Sequence, residues 1–540
     1  MPGMVVAPQP MAVEEGAKVL LAGGNAVDAA VTAAFVQFLL DPHSCSAGGY
    51  VSLNLHLADD SAHGESPVLL DGPAVAGSRV REDMWQDIVL RPSPDGWGYF
   101  LKGKVNDVGY QSICTPGAIK ALAATLERWG TISWRQALEP ATRIAAEGFI
   151  VSAELAARWK DPAPYQEASS TIEAIRSNAE ASRIFLKADG SPREAGELMQ
   201  NSDYARTFEQ LATSGAEDLY HGDLANQIAR DLEAHGGFVT ASDLADYKLR
   251  DPQPVWGNYR EHRIATNQPP HGGPTLVAIL NILQGYDLGA LAHNSPQYIY
   301  LVSMAMKAAF ADRNVWLADP EFVEVPLQDM ISPQRGEHWR RVIDAGEPIE
   351  VPRGEAGSPD TTHVTVVDAA GNCISLTHSR GSGSGGVITP GLGFMYNNSM
   401  VNFHPYPGHP NSIAARKGRT TGMTPTIVYA GDKPRLVLGA PGATRIITSV
   451  LQVILNVIDF GMSISDAVLV PRFDCQGDLI RCQARIPELV CAEVRKRHPI
   501  ERIPQSHGGL ALVHAVHIDP STNRLSGAAD TGAGGMALEV

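Results

Sequence analysis

The chain has 540 residues, 44% hydrophobic and 6% aromatic, the composition of a folded globular protein rather than a disordered or fibrous one. That length allows one large layered α/β unit or more than one compact unit. The formal net charge of −16 disfavours attraction to nucleic acid or to an anionic membrane surface.

Helical periodicity runs over 13–40, is interrupted at Gly23-Gly24-Asn25, and is ended by Pro42. Gly48-Gly49 then leads into an alternating strand over 50–57. Thr115-Pro116-Gly117 opens another helix, and 131–250 reads as a succession of helices with polar connections. Pro269 to Pro274 predicts a tight turn before a helix over 275–283, and a further helix is expected over 298–314. Residues 353–360, Arg-Gly-Glu-Ala-Gly-Ser-Pro-Asp, have the composition of an exposed linker. Beyond it, 363–368 and 373–378 alternate like paired strands across a Gly-Asn turn. Strands are also expected over 426–429, 435–438 and 510–518, with a long apolar helix over 445–460 between them. Strands at both ends of the sequence, with helices between, suit a layered sheet assembled from both halves.

The basic groups Arg416-Lys417-Gly418-Arg419 and Arg495-Lys496-Arg497 are short and isolated, and read as solvated surface. The six cysteines include no Cys-x-x-Cys pair and read as reduced, packed thiols. No HExxH or clustered His/Cys motif occurs, so no metal is expected. The N-terminus lacks a basic region followed by an apolar core, and no apolar run reaches 18 residues; the chain as given is expected to be cytoplasmic, away from the membrane.

Two local patterns carry chemistry. Thr361 stands at the start of a strand-turn-strand unit, just after the linker-like segment. A threonine there can attack the carbonyl of Asp360, move the chain onto its own oxygen and, on hydrolysis, release a new amino terminus that activates the same hydroxyl. Threonine is equally an ordinary strand residue, and the pattern alone leaves that alternative open. The second is Gly439-Ala-Pro-Gly442-Ala443-Thr-Arg445, a glycine-bearing turn before a long helix, which presents N–H groups to an anion or simply caps the helix.

The ordered stretches Gly23-Gly-Asn-Ala-Val-Asp-Ala-Ala30, Thr115-Pro-Gly117, Glu147-Gly-Phe-Ile150, Asp243-Leu-Ala-Asp-Tyr247, Ala311-Asp-Arg313, Thr361-Thr-His363, Asn397-Asn398, Met423-Thr-Pro-Thr-Ile427 and Pro441-Gly442 are collinear with one family. Over nearly its whole length the chain resembles the γ-glutamyltranspeptidase (γ-glutamyltransferase) family of N-terminal-nucleophile hydrolases. The resemblance implies a four-layer αββα sandwich, formed with autocleavage between Asp360 and Thr361 into a large chain, 1–360, and a small chain, 361–540. Thr361 is then the nucleophile and Ser379 the supporting hydroxyl, while Gly442 and Ala443 fall on the family's paired oxyanion-hole glycines. No cofactor or metal is implied, and the two chains are partners that leave open a dimer of heterodimers.

The substrate-holding positions depart from the family. Pro73, in Leu70-Asp71-Gly72-Pro73-Ala74, stands where glutathione-processing members carry the arginine that holds the glutamate α-carboxylate. Thr421-Gly422 replaces a paired serine, Gly381 an asparagine, Ser399 a glutamine, and Asn402 the aspartate that pairs with the α-amino group. Uncompensated buried charges cost several kcal/mol, so free γ-glutamyl groups are expected to bind poorly unless Arg79 or Arg81 reaches in. The short connection from Phe403 to Arg419 resembles that of members without a lid, which favours hydrolysis over transfer. His43, His271, Asp28, Asp246 and Asp312 are expected to serve structure.

The expected function is a self-processing threonine amidohydrolase acting on a small-molecule amide whose acyl group is not γ-glutamyl. Relatives with altered clamps include acylases acting on cephalosporin side chains, an oxamate amidohydrolase, and enzymes of alkyl-proline antibiotic pathways. The alternatives are an ordinary γ-glutamyltransferase and glutathione hydrolase, or an inactive relative used as a binding module.

Overall fold

A computed structural model describes residues 2–59, 67–354, 360–382 and 385–540. Its centre is a pair of six-stranded antiparallel sheets. The first runs Met536–Glu539, Met4–Ala7, Thr362–Val367, Cys373–Ser379, Tyr50–His56, Val68–Gly72. The second runs Leu525–Ala529, His514–Ile518, Lys433–Gly439, Thr426–Ala430, His262–Thr266, Val255–Tyr259. Each sheet therefore contains strands from both sides of residue 360, interleaved in the first and set side by side as two blocks in the second.

Alternation along the central hairpin explains the layering. Val364, Val366, Ile374 and Leu376 face outward into one core, shared with the helices Pro10–Leu21 and Ala26–Leu40. Val367 and Cys373 face inward against Ile427, Val437 and Val516 of the other sheet. The outer face of the second sheet is covered by Gly273–Leu283, Pro296–Trp316 and Arg445–Ile458. The result is the expected αββα sandwich. Ala26–Leu40 is apolar around its whole circumference and is accordingly buried along nearly its whole length. Its start is fixed by a capping box between Asn25 and Asp28.

Toward one end the inter-sheet layer turns polar. His363 stands 2.9 Å from both Thr377 Oγ1 and Thr365 Oγ1, and Ser375 donates to the Leu438 carbonyl at 2.8 Å. Strands 363–368 and 373–378 are found one residue longer or shifted, as Thr362–Val367 and Cys373–Ser379. The expected strand over 510–518 begins only at His514. Its first residues instead wrap behind the glycine turn, where Leu512 N–H donates to the Pro441 carbonyl at 3.1 Å.

The linker-like segment is not an exposed tether at its ends: Gly354 and Asp360 are buried, and 355–359 lie outside the described residues. All six cysteines are buried free thiols. Among the described residues no helix is long and apolar enough to cross a membrane.

Candidate active site

The hairpin register pairs Thr362 with His378, which sets Thr361 beside Ser379. Thr361 Oγ1 donates to Ser379 Oγ at 3.2 Å, and Ser379 Oγ donates to the Asp360 carbonyl oxygen at 2.6 Å. The Gly381 N–H donates to the same Ser379 oxygen at 2.9 Å. A hydroxyl has one proton and two lone pairs, so every hydrogen-bonding valence of Ser379 is in use around the Asp360–Thr361 peptide. Asp360 and Thr361 are both buried.

The Asp360 carboxylate pairs with Arg158, which also donates to Ser44 Oγ at 3.2 Å. Burial works against the Arg158 charge, but the carboxylates of Asp360 and Asp41 outweigh it and raise the guanidinium pKa. Burial in turn pushes the Asp41 carboxyl above its ordinary value, against the pull of Arg158. Arg158 thus lies between the Asp360 carboxylate and the Asp41 carboxyl at the end of the helix Ala26–Leu40.

Two cavities flank this point. One of about 490 Å³ is lined by Thr361, Gly442 and Arg445, with Leu40, Phe149 and Leu510 supplying apolar wall. The other, of about 420 Å³, lies on the Asp360 side against Trp97, Tyr99, Tyr165 and Ser382, and Arg158 borders both. The turn at the first cavity is strained in a way that suits only certain residues. Gly442 has φ 138°, and a Cβ there would stand 2.6 Å from Ala511 Cα. Ala443 follows at φ 58°, a left-handed conformation that costs a residue with a Cβ on the order of 1 kcal/mol.

The remaining candidates gather on the other side of Ser379. Gly381, at φ 95°, forms a bridge with Asn398, and a Cβ on it would stand 3.3 Å from Ser399 Oγ. The buried turn Met400–Asn402 packs through Met400 against Tyr50, Ala74, Phe403 and Met423. Tyr50 is the register partner of Ser379, so this cluster adjoins the hydroxyl pair. Pro73 is buried beside it, its carbonyl accepting from the Tyr247 hydroxyl at 2.7 Å. Thr421 Oγ1 stands 2.7 Å from His271 Nδ1, whose Nε2 is 2.8 Å from Asp71 Oδ2. Met423 N–H also donates to Thr421 Oγ1, at 3.1 Å. Gly422 abuts the Ala443 carbonyl, which ties Thr421 to the glycine turn.

Several readings from the sequence change. Arg79 and Arg81 do not reach inward: they are exposed and pair with Glu233 and Asp83. The run 416–419 is not solvated surface, since Lys417 and Arg419 are both buried. Asp246 is exposed and pairs with Arg416 at 3.1 Å, whereas Asp28 and Asp312 are buried. His43 is buried and accepts from Trp159 Nε1 at 2.7 Å, its pKa held well below the ordinary value by burial and by Arg380 and Arg158. Arg158 and Asp41 belong to no pattern in the sequence; only the pairing of distant segments brings them to the Asp360–Thr361 bond.

Residues 12–540 match the family profile described as gamma-glutamyltranspeptidase. The Acylase ACY 1 proenzyme of Pseudomonas sp. (strain V22) is 35% identical over 543 residues, covering 100% of this chain and 93% of that protein. The glutathione hydrolase proenzyme of Bacillus subtilis (strain 168) is 30% identical over 562 residues, covering 100% and 91%. Among solved structures, the cephalosporin acylase from Bacillus halodurans superposes with a TM-score of 0.85 at 26% identity, covering 99% of this chain and 95% of that one. The chain belongs to the gamma-glutamyltranspeptidase family.

Proposed function

We propose that this protein is a self-processing threonine amidohydrolase, an acylase of its family, that cleaves itself between Asp360 and Thr361. The reading rests above all on the Ser379 hydroxyl, which accepts from Thr361 and donates to the carbonyl oxygen of Asp360. In processing, Thr361 Oγ1 bonds to the Asp360 carbonyl carbon while Ser379 steadies the oxygen as it gains charge. The C–N bond breaks, the hydroxyl proton ends on the departing nitrogen, and water then hydrolyses the ester to free Thr361. The chains 1–360 and 361–540 stay together because Thr362–Val367 lies between Met4–Ala7 and Cys373–Ser379 in one sheet.

In turnover the freed α-amine takes the Thr361 proton, and the hydroxyl oxygen attacks the substrate amide. The oxyanion is held by the N–H groups of Gly442 and Ala443, one such donor contributing about 3–4 kcal/mol. The amine product leaves and water releases the acid. Pro73, Ser399 and Asn402 carry no charge with which to hold a free γ-glutamyl zwitterion, and the names of the acylase relatives point the same way. The experiment is a panel of acyl p-nitroanilides that includes the γ-glutamyl compound. Release from other acyl groups in preference to γ-glutamyl, without acceleration by glycylglycine, is the expected result. A γ-glutamyl preference accelerated by glycylglycine would identify a γ-glutamyltransferase, and an uncut, inert protein a binding module.

A further inference from the structure

Behind the glycine turn runs a buried polar chain. Thr444 Oγ1 donates to Gln476 Oε1 at 2.7 Å, Gln476 Nε2 donates to Asp474 Oδ1 at 2.8 Å, and Thr448 Oγ1 donates to the same carboxylate oxygen at 2.7 Å. All four side chains are buried. One end of the chain fixes its direction. An ionised carboxylate can only accept, so the amide turns its NH2 group to Asp474 and leaves its oxygen to Thr444, whose hydroxyl must then donate. Each link polarises the next in such a chain. Its base is anchored twice over: Gln452, one turn beyond Thr448 on the helix Arg445–Ile458, donates to the Phe473 carbonyl at 2.7 Å and accepts from the Phe473 N–H at 3.1 Å.

What the chain grips is the end of the strained turn. Gly442 at φ 138° and Ala443 at φ 58° are followed by Thr444 at φ −67° and ψ −19°, the first helical angles. The Ala443 and Thr444 carbonyls accept from the Ile446 and Ile447 N–H groups, each at 3.2 Å, so the N–H groups ahead of Ile446 are those a helix start leaves without carbonyl partners. Gly442 and Arg445, which bracket them, line the cavity that holds Thr361. A threonine hydroxyl at the head of a helix ordinarily competes for first-turn N–H groups as a cap. Among the described residues Thr444 gives this helix no such bond; its hydroxyl is drawn to Gln476 instead. The chain thereby anchors the backbone where the turn meets the helix, and it leaves the N–H groups of the turn to an anion.

We infer that Gln476, oriented by Asp474, is a positioning residue for acyl transfer: through Thr444 it sets the Gly442–Ala443 turn and keeps its N–H groups directed at the oxyanion. The inference rests on the acylase reading for the role of that turn. It is tested on processed protein with the p-nitroanilide that the wild type hydrolyses fastest. Gln476→Met and Thr444→Val each remove the bond between the two side chains. Each is expected to lower kcat by about tenfold or more while KM changes by less than about twofold, the pattern of an interaction felt only in the transition state. The double variant should lose no more than either single one, as a contacting pair does. Thr444→Ser keeps the hydroxyl and is expected to keep kcat. Self-cleavage on a gel and the melting temperature report that each variant folds; a merely structural role would lower the melting temperature and leave kcat and KM of the folded protein unchanged.

A wild-type kcat in Gln476→Met, a rise in KM in place of the fall in kcat, or additive losses in the double variant would overturn the inference and leave the acylase reading standing. A wild type that hydrolyses none of the anilides would sink that reading, and the inference with it. Should Gln476→Met not fold, Thr444→Val against Thr444→Ser carries the test, and equal kcat in those two variants would overturn it.

Discussion

Ser379 Oγ lies 3.2 Å from Thr361 Oγ1 and 2.6 Å from the Asp360 carbonyl oxygen, so one hydroxyl touches both the attacking atom and the oxygen it would drive negative. The Gly381 N–H completes the set at 2.9 Å. Under the proposed self-processing, the same side chain would serve two stages: polarising the peptide before cleavage and positioning the threonine oxygen after it.

Loss of that hydroxyl is expected to be felt in both stages. Ser379→Ala should slow self-cleavage and, in whatever fraction matures, lower kcat by about 100-fold or more. Ser379→Thr, which keeps the hydroxyl, should mature. Time courses of cleavage on a gel and single-turnover kinetics check this; rapid maturation of Ser379→Ala would assign the hydroxyl a merely structural role.

The glycine turn gives a contrast between neighbours. Gly442→Ala meets both a φ of 138° and Ala511 Cα at 2.6 Å, and is expected to abolish turnover. Ala443→Gly relieves a left-handed alanine at φ 58° and should change stability by no more than about 1 kcal/mol while keeping activity. Chemical denaturation and kcat/KM on one anilide distinguish the two.

Arg158 is expected to govern maturation through its pair with Asp360. Arg158→Met leaves the Asp360 carboxylate without its cation and should slow self-cleavage by about tenfold. Asp360→Asn in the Arg158→Met background removes the stranded charge and should recover part of the rate, the non-additivity expected of a contacting pair. Additive effects in the double-mutant cycle would separate Arg158 from processing.

Acid stability should track the buried histidines. Burial lowers His378 to about 3 and His514 to about 4, below the value near 6.5 of an unfolded histidine. Above about pH 6.5 neither state holds these protons and the full stability is present. As pH falls, the unfolded chain takes up protons the native chain refuses, and stability drops until the native sites titrate near 4 and 3. Each such histidine contributes a slope of up to about 1.4 kcal/mol per pH unit. Denaturation of wild type and His378→Asn between pH 7 and 4.5 should show a shallower loss in the variant.

The hairpin arithmetic made much of the site legible: strands meeting across a turn at 368–372 put 361 opposite 379 whatever the rest of the fold does. The glycine turn before Arg445–Ile458 was equally local. Burial of Arg419 was not legible, because a short basic run looks like surface until the Val75–Gly418 bridge folds it inward. Arg158 and Asp360 lie 202 residues apart, and nothing in either local sequence marks the pair. The strand expected at Leu510 failed for a tertiary reason: 510–513 backs the glycine turn instead of extending the sheet.

The most direct test of the account is the intact mass of the purified protein under denaturing conditions, beside that of Thr361→Ala. Two wild-type chains are expected, one ending at Asp360 and one beginning with Thr361, and a single full-length chain in the variant. A full-length wild-type chain that nonetheless hydrolyses amides, or a cut at another bond, would contradict it.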